Sequence, residues 1–167
     1  MTNLGAKVFV VVLLLLALPG MCHAQFIKAG IGINGLTCSQ CSRSVEIELK
    51  KLDFVQSVAM DLEHTQGTVI FREKTKVNIA AIAKAVKNAG FSVRYLKAAL
   101  DMEQVKADGQ CFKYRGDAYN LLKPSEAGIV TLQFIGKEYM PAKELKQYKL
   151  PAKTTCKGTT VYYADVL

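Results

Sequence analysis

The sequence predicts an α+β fold, with one compact unit over residues 25–99 and a small β-rich module over residues 100–167. Three observations predict it. Apolar residues alternate at Ile27, Ala29, Ile31 and Ile33, as in a half-buried strand. Two later stretches switch to helical spacing: Val45, Leu49 and Leu52, then Ile79, Ile82, Val86 and Ala89. Beyond Asp101 the texture changes to short strand-like runs.

Residues 1–24 precede the fold. Lys7 gives a positive start, Val8 to Leu18 is an unbroken apolar run, and Pro19-Gly20 breaks it before Cys22-His23-Ala24. This is the layout of a secretory signal peptide cut after Ala24. The run is shorter than the roughly 20 residues a spanning helix needs. A retained membrane anchor and a lipid-modified Cys22 are the lesser readings. The mature chain is therefore expected to be exported, periplasmic or secreted, in an oxidising compartment where disulfides persist.

The elements follow in order. Phe26 to Ile33 is the first strand, and Asn34-Gly35 turns the chain. Ser39 to Lys51 is an amphipathic helix, with Glu46, Glu48, Lys50 and Lys51 between its apolar positions. Val55 to Leu62 and Thr68 to Phe71 form a hairpin about the turn His64-Thr65-Gln66-Gly67, which is placed far from the cysteines. Asn78 to Asn88 is the second helix, ended by Gly90, and Phe91 to Leu96 is the fourth strand. This order is the split βαβ, or ferredoxin-like, plan with both helices on one face of an antiparallel sheet. Its expected core is Ile31, Ile33, Val45, Leu49, Leu52, Val58, Val69, Phe71, Ile79, Ile82, Val86 and Val93.

Leu96 to Val105 reads as an interdomain helix or linker. In the module beyond it, strands are expected over Gln110 to Leu121, Gly128 to Phe134 and Thr159 to Val166, with a short helical turn at Pro141 to Leu145. Cys111 and Cys156 flank this module, and a structural disulfide between them would close a loop of about 45 residues. A second metal pair is the competing reading.

The net charge of +8 is concentrated in residues 25–100. It suits either an acidic partner or an ordinary solvated lysine-rich face. No aromatic-interleaved basic stripe marks a nucleic-acid binder, and nucleic acid is not expected as a partner.

Cys38-Ser39-Gln40-Cys41 carries the chemistry. Cys38 lies just before the first helix and Cys41 in its first turn, where the helix dipole and free N–H groups favour thiolate. Thiolates are soft ligands. A pair without further convergent ligands suits ions content with two-fold coordination, Cu(I), Hg(II) or Ag(I), ahead of Zn(II). The same pair could serve as a thiol–disulfide oxidoreductase, although no Trp or nearby Pro accompanies it. His64 reads as a solvated turn residue, Met60 and Met140 as core filler, and Lys87 and Arg94 as solvated charges.

The run Gly35-Leu36-Thr37-Cys38-Ser39-Gln40-Cys41, followed by Val45-Glu46 and Leu49 and closed by Ala89-Gly90-Phe91, resembles the heavy-metal-associated domain of copper chaperones, copper-transporting ATPases and periplasmic mercury-binding proteins. The resemblance covers about residues 26–98. It implies a ferredoxin-like fold, metal held by Cys38 and Cys41, and Phe91 packed close to the metal loop. It implies also a non-enzymatic role, with a metal donor or acceptor protein, or a membrane metal transporter, as partner. Leu36 stands where the family has Met, a swap that keeps volume and apolarity. Thr37 favours copper or mercury over zinc. No family resemblance is recognised in residues 101–167, and a rival reading gives the main role, adhesive or sensory, to that half, gated by the first.

Overall fold

The computed structural model describes residues 25–103, 105, 110–125, 128–151 and 156–167. The signal-peptide and Cys22 readings lie outside the described residues. The first six elements are β1 (Gln25–Asn34), α1 (Ser39–Lys50), β2 (Val55–Asp61), β3 (Gln66–Phe71), α2 (Ile79–Asn88) and β4 (Ser92–Asp101). They form the ferredoxin-like order, β2-β3-β1-β4, with every pair antiparallel.

The alternation of β1 puts Ala29, Ile31 and Ile33 inward. A bulge between Phe26 and Lys28 resets the phase, so Phe26 is buried and Ile27 faces out. Val45 and Leu49 of α1, and Ile79, Ile82 and Val86 of α2, are buried against this sheet. Leu52 and Val58 are only partly buried, packing at the edge of the same core.

The remainder is β5 (Cys111–Tyr114), β6 (Asp117–Leu121), β7 (Ile129–Ile135), α3 (Ala142–Leu145) and β8 (Val161–Val166). Here the structure differs from the sequence expectation. These strands extend the first sheet: β7 pairs antiparallel with β4, from Lys97 opposite Gln133 to Asp101 opposite Ile129. The result is one eight-stranded sheet, β2-β3-β1-β4-β7-β8-β6-β5, mixed because β6 and β8 run parallel. Leu96 to Asp101 is accordingly strand, neither helix nor linker. Its Leu96 and Leu100 have helical spacing, but Ala98 pairs across to Leu132 and both neighbouring strands cover it. The run expected as one strand over Gln110 to Leu121 is a hairpin, since Arg115 and Gly116 both adopt positive φ and turn the chain.

One hydrophobic cluster joins both halves. Phe26 of β1 meets Tyr114 at 5.1 Å and Tyr119 at 5.6 Å between ring centroids, and Tyr119 stacks on Phe112 at 4.7 Å. The outer strands also grip the approach to α2. The Tyr114 hydroxyl donates to the Thr75 carbonyl, Arg115 donates to the Lys74 carbonyl, and Lys76 Nζ lies 3.0 Å from the buried Asp117 carboxylate. Cys111 and Cys156 are joined by a disulfide across a separation of 45 residues.

Candidate metal centre

The cysteine loop is built by a turn and a helix start. Gly35 has φ of +80°, which only glycine adopts cheaply, and this turns the chain off β1. Leu36 then drops into the core with no exposed surface, while Thr37 and Cys38 face solvent. Cys38 is the N-cap of α1, and its Sγ accepts a hydrogen bond from the Cys41 N–H at 3.1 Å. A sulfur thus does the work usually given to a Ser or Asp oxygen. Cys41 sits one helical turn on, 5.1 Å away between Cα atoms, and the two sulfurs are joined in a disulfide. The same closeness lets one soft ion bridge both sulfurs once the bond is reduced.

Phe91 closes the loop from the side. Helix α2 ends with Ala89 as C-cap and Gly90 at φ +90°. The Gly90 N–H donates to the Lys87 carbonyl at 2.9 Å, and the Phe91 N–H donates to the Val86 carbonyl at 3.1 Å. This is the Schellman pattern, and it fixes where Phe91 leaves the helix. The half-buried Phe91 ring lies 3.9 Å from where a Cβ on Gly35 would stand. Asn34 Nδ2 donates to Ser92 Oγ at 3.2 Å, tying the two junctions together.

The β2–β3 turn also stands at this end, not far from it. The Ile33 N–H donates to the Thr65 carbonyl at 2.9 Å, and Gly32 pairs with Gln66. His64 is therefore a neighbour of the cysteine loop. The sheet register shows this, and the linear spacing of His64 from the cysteines does not. The His64 backbone N–H and ring Nδ1 both engage the Asp61 carboxylate, which holds that carboxyl below its ordinary range. Arg94 reaches across to donate to the His64 carbonyl at 3.0 Å, so it braces the turn as well as meeting solvent. Among the described residues, no group of three or more His, Cys, Asp or Glu side chains is placed to share a metal ion. Met140 is buried, and half-buried Met60 lies over Gly67.

Residues 137–142 were missed as part of this region. Lys137, Glu138, Met140, Pro141 and Ala142 line a cleft of about 400 Å³ together with Asn34, Phe91 and Ser92. Only the pairing of β7 with β4 carries them there, and no local motif announces it.

The heavy-metal-associated domain matches residues 31–92. The copper-transporting ATPase 1 of Rhizobium meliloti is 40% identical over 67 residues, which cover 40% of this chain and 8% of that protein. The copper chaperone CopZ of Staphylococcus haemolyticus is 31% identical over 64 residues, covering 38% of this chain and 93% of the chaperone. Among solved structures, oxidised MerP from Ralstonia metallidurans CH34 is 29% identical and aligns with a TM-score of 0.35, over 42% of this chain and 96% of that one. That alignment is too loose to bear on function.

Proposed function

The chain belongs to the heavy-metal-associated domain family through residues 31–92, and from that premise we propose that it holds one Cu(I) ion between Cys38 and Cys41 and passes it to a partner protein. The observation that carries this is the pair of sulfurs sharing one helix start on the surface, outside any group of three or more His, Cys, Asp or Glu side chains among the described residues. Two thiolates and nothing else favour an ion content with low coordination. Cu(I) is preferred to Hg(II), Ag(I) and Zn(II), because both relatives above are copper proteins by name.

The disulfide must first accept two electrons from a thiol reductant. The two thiols then lose their protons as Cu(I) binds. The helix start stabilises the thiolates, through the Cys41 N–H at Cys38 Sγ and through the positive end of the dipole. Transfer proceeds by ligand exchange. An incoming partner thiolate makes a three-coordinate ion, and Cys38 and Cys41 leave in turn. No bond of the cargo is made or broken other than metal–sulfur bonds, so the role is carriage, not catalysis. A membrane metal transporter or a second chaperone is the fitting partner.

We place this work outside the cytoplasm. The Lys7, Val8–Leu18, Ala24 pattern and the Cys111–Cys156 bridge support that reading.

Titration of the reduced chain with Cu(I) against a competing chelator tests the proposal. One equivalent should bind. Binding that persists in the Cys38→Ser, Cys41→Ser double variant would refute it.

The closed Cys38–Cys41 disulfide favours a second reading, thiol–disulfide exchange with client proteins. Sustained turnover in an insulin-reduction assay would put that reading first.

A further inference from the structure

Beside the cysteine loop, the segment after β7 builds a wall that the family domain itself lacks, since the matched region ends at residue 92. Lys137, Glu138, Met140, Pro141 and Ala142 form this wall, facing Ala83 and Lys87 of α2. A second hollow, of about 570 Å³, continues along α2 past Ala80, Lys84 and Asn88, and shares Lys87 and Glu138 with the first. The two make one groove. It runs along α2 from Ala80 to Asn88, about 12 Å at the helical rise, and ends at Phe91. That length matches about four residues of extended chain, which is more than a small anion fills.

The groove has a definite chemistry. Lys84, Lys87 and Lys137 are exposed along it against the single acid Glu138, and they form no ion pair with any other described residue. Its floor is apolar at Phe91, Val93 and Met140. We propose that this groove receives an acidic segment of the protein that exchanges metal with the chain, its carboxylates meeting Lys84, Lys87 and Lys137 and an apolar side chain resting between Phe91 and Met140. The inference rests on the metal-carrier reading above. It adds where the partner is recognised and by what charge. Because the Phe91 ring lies 3.9 Å from where a Cβ on Gly35 would stand, an occupant reaching Phe91 lies about one side chain away from the cysteine turn. The wall lies beyond the matched domain residues, so it selects a partner that the bare domain would not distinguish.

The test is an NMR titration of the full chain with two synthetic peptides. One is a pentapeptide of Asp and Glu about a central Leu, and the other has Asn and Gln in place of the acids. The acidic peptide should shift the amide signals of Lys84, Lys87, Phe91 and residues 137–142. The Lys87→Glu, Lys137→Glu double variant should weaken that binding by about tenfold or more, the scale of two reversed surface ion pairs. Competition for Cu(I) against a chelator should be the same in variant and parent. That arm reads the metal site alone, so its failure is separable from failure of the groove. Equal binding of the amide peptide would overturn the proposal, as would no shifts at all, or shifts confined to a separate cleft between α1 and the end of β2, lined by Ser39, Arg43, Met60 and Leu62. Saturation by anionic lipid vesicles, without a response to the acidic peptide, would also overturn it in favour of a membrane surface.

Discussion

Leu36 supports the cysteine loop from beneath, and it has no exposed surface. Leu36→Ala should lower stability by about 2–5 kcal/mol, because the loop cannot collapse fully into the space left. Leu36→Met should cost less than about 1.5 kcal/mol, because volume is conserved. Urea denaturation of the two variants checks both values. The nearness of Cys38 and Cys41 was legible in the sequence, since two cysteines three apart at the switch from strand to helix period can hardly be elsewhere than one exposed turn. His64 was not legible. It lies 23 positions from Cys41 in sequence and yet shares its end of the sheet, because β3 runs back along β1. Two-coordinate binding therefore predicts that His64→Ala leaves the chelator-competed Cu(I) affinity unchanged. A loss of tenfold or more would make His64 a ligand.

At the scale of elements, the end of α2 decides where Phe91 stands. Gly90→Ala forces a Cβ into the left-handed region, at a cost of about 1–2 kcal/mol. The expected outcome is a lower melting temperature together with changed NMR signals at Phe91 and Gly35. If only stability changes, the Schellman turn is not what positions the ring. Both helices and this glycine stop could be read in advance, since period and cap chemistry are local. The hairpin turn at Arg115-Gly116 was hidden by an arginine in the left-handed region, a residue that sequence rules do not expect there. The pairing of β7 with β4 was hidden for a different reason. Strand pairing between distant segments leaves no mark in either segment beyond ordinary alternation.

Over the whole molecule, the second half completes the first. Phe26, on the domain's first strand, is buried by Tyr114, Tyr119 and Phe134 of the later strands. Tyr114, Tyr119, Tyr139 and Tyr162 all have phenol pKa values raised from 10.0, first by burial. Their folded-state values lie above the unfolded one. The stability they give is thus fully present below pH 10 and is lost as pH rises beyond it. Unfolding in alkali should therefore coincide with the rise of phenolate absorbance. Ordinary titration of these four phenols near pH 10 with the fold intact would contradict this burial. The Cys111–Cys156 bridge, closing 45 residues, should contribute about 4 kcal/mol in the chain-entropy view. The Cys111→Ser, Cys156→Ser variant should denature correspondingly earlier, with Cu(I) binding at Cys38 and Cys41 retained.

The central claim is that two sulfurs and no other protein ligand hold the ion. X-ray absorption at the copper edge of the reduced, Cu(I)-loaded full chain reads this directly. The account predicts a first shell of two sulfur atoms from Cys38 and Cys41, lost in the Cys38→Ser, Cys41→Ser variant. A shell containing imidazole nitrogen, or one unchanged by that double substitution, would contradict it.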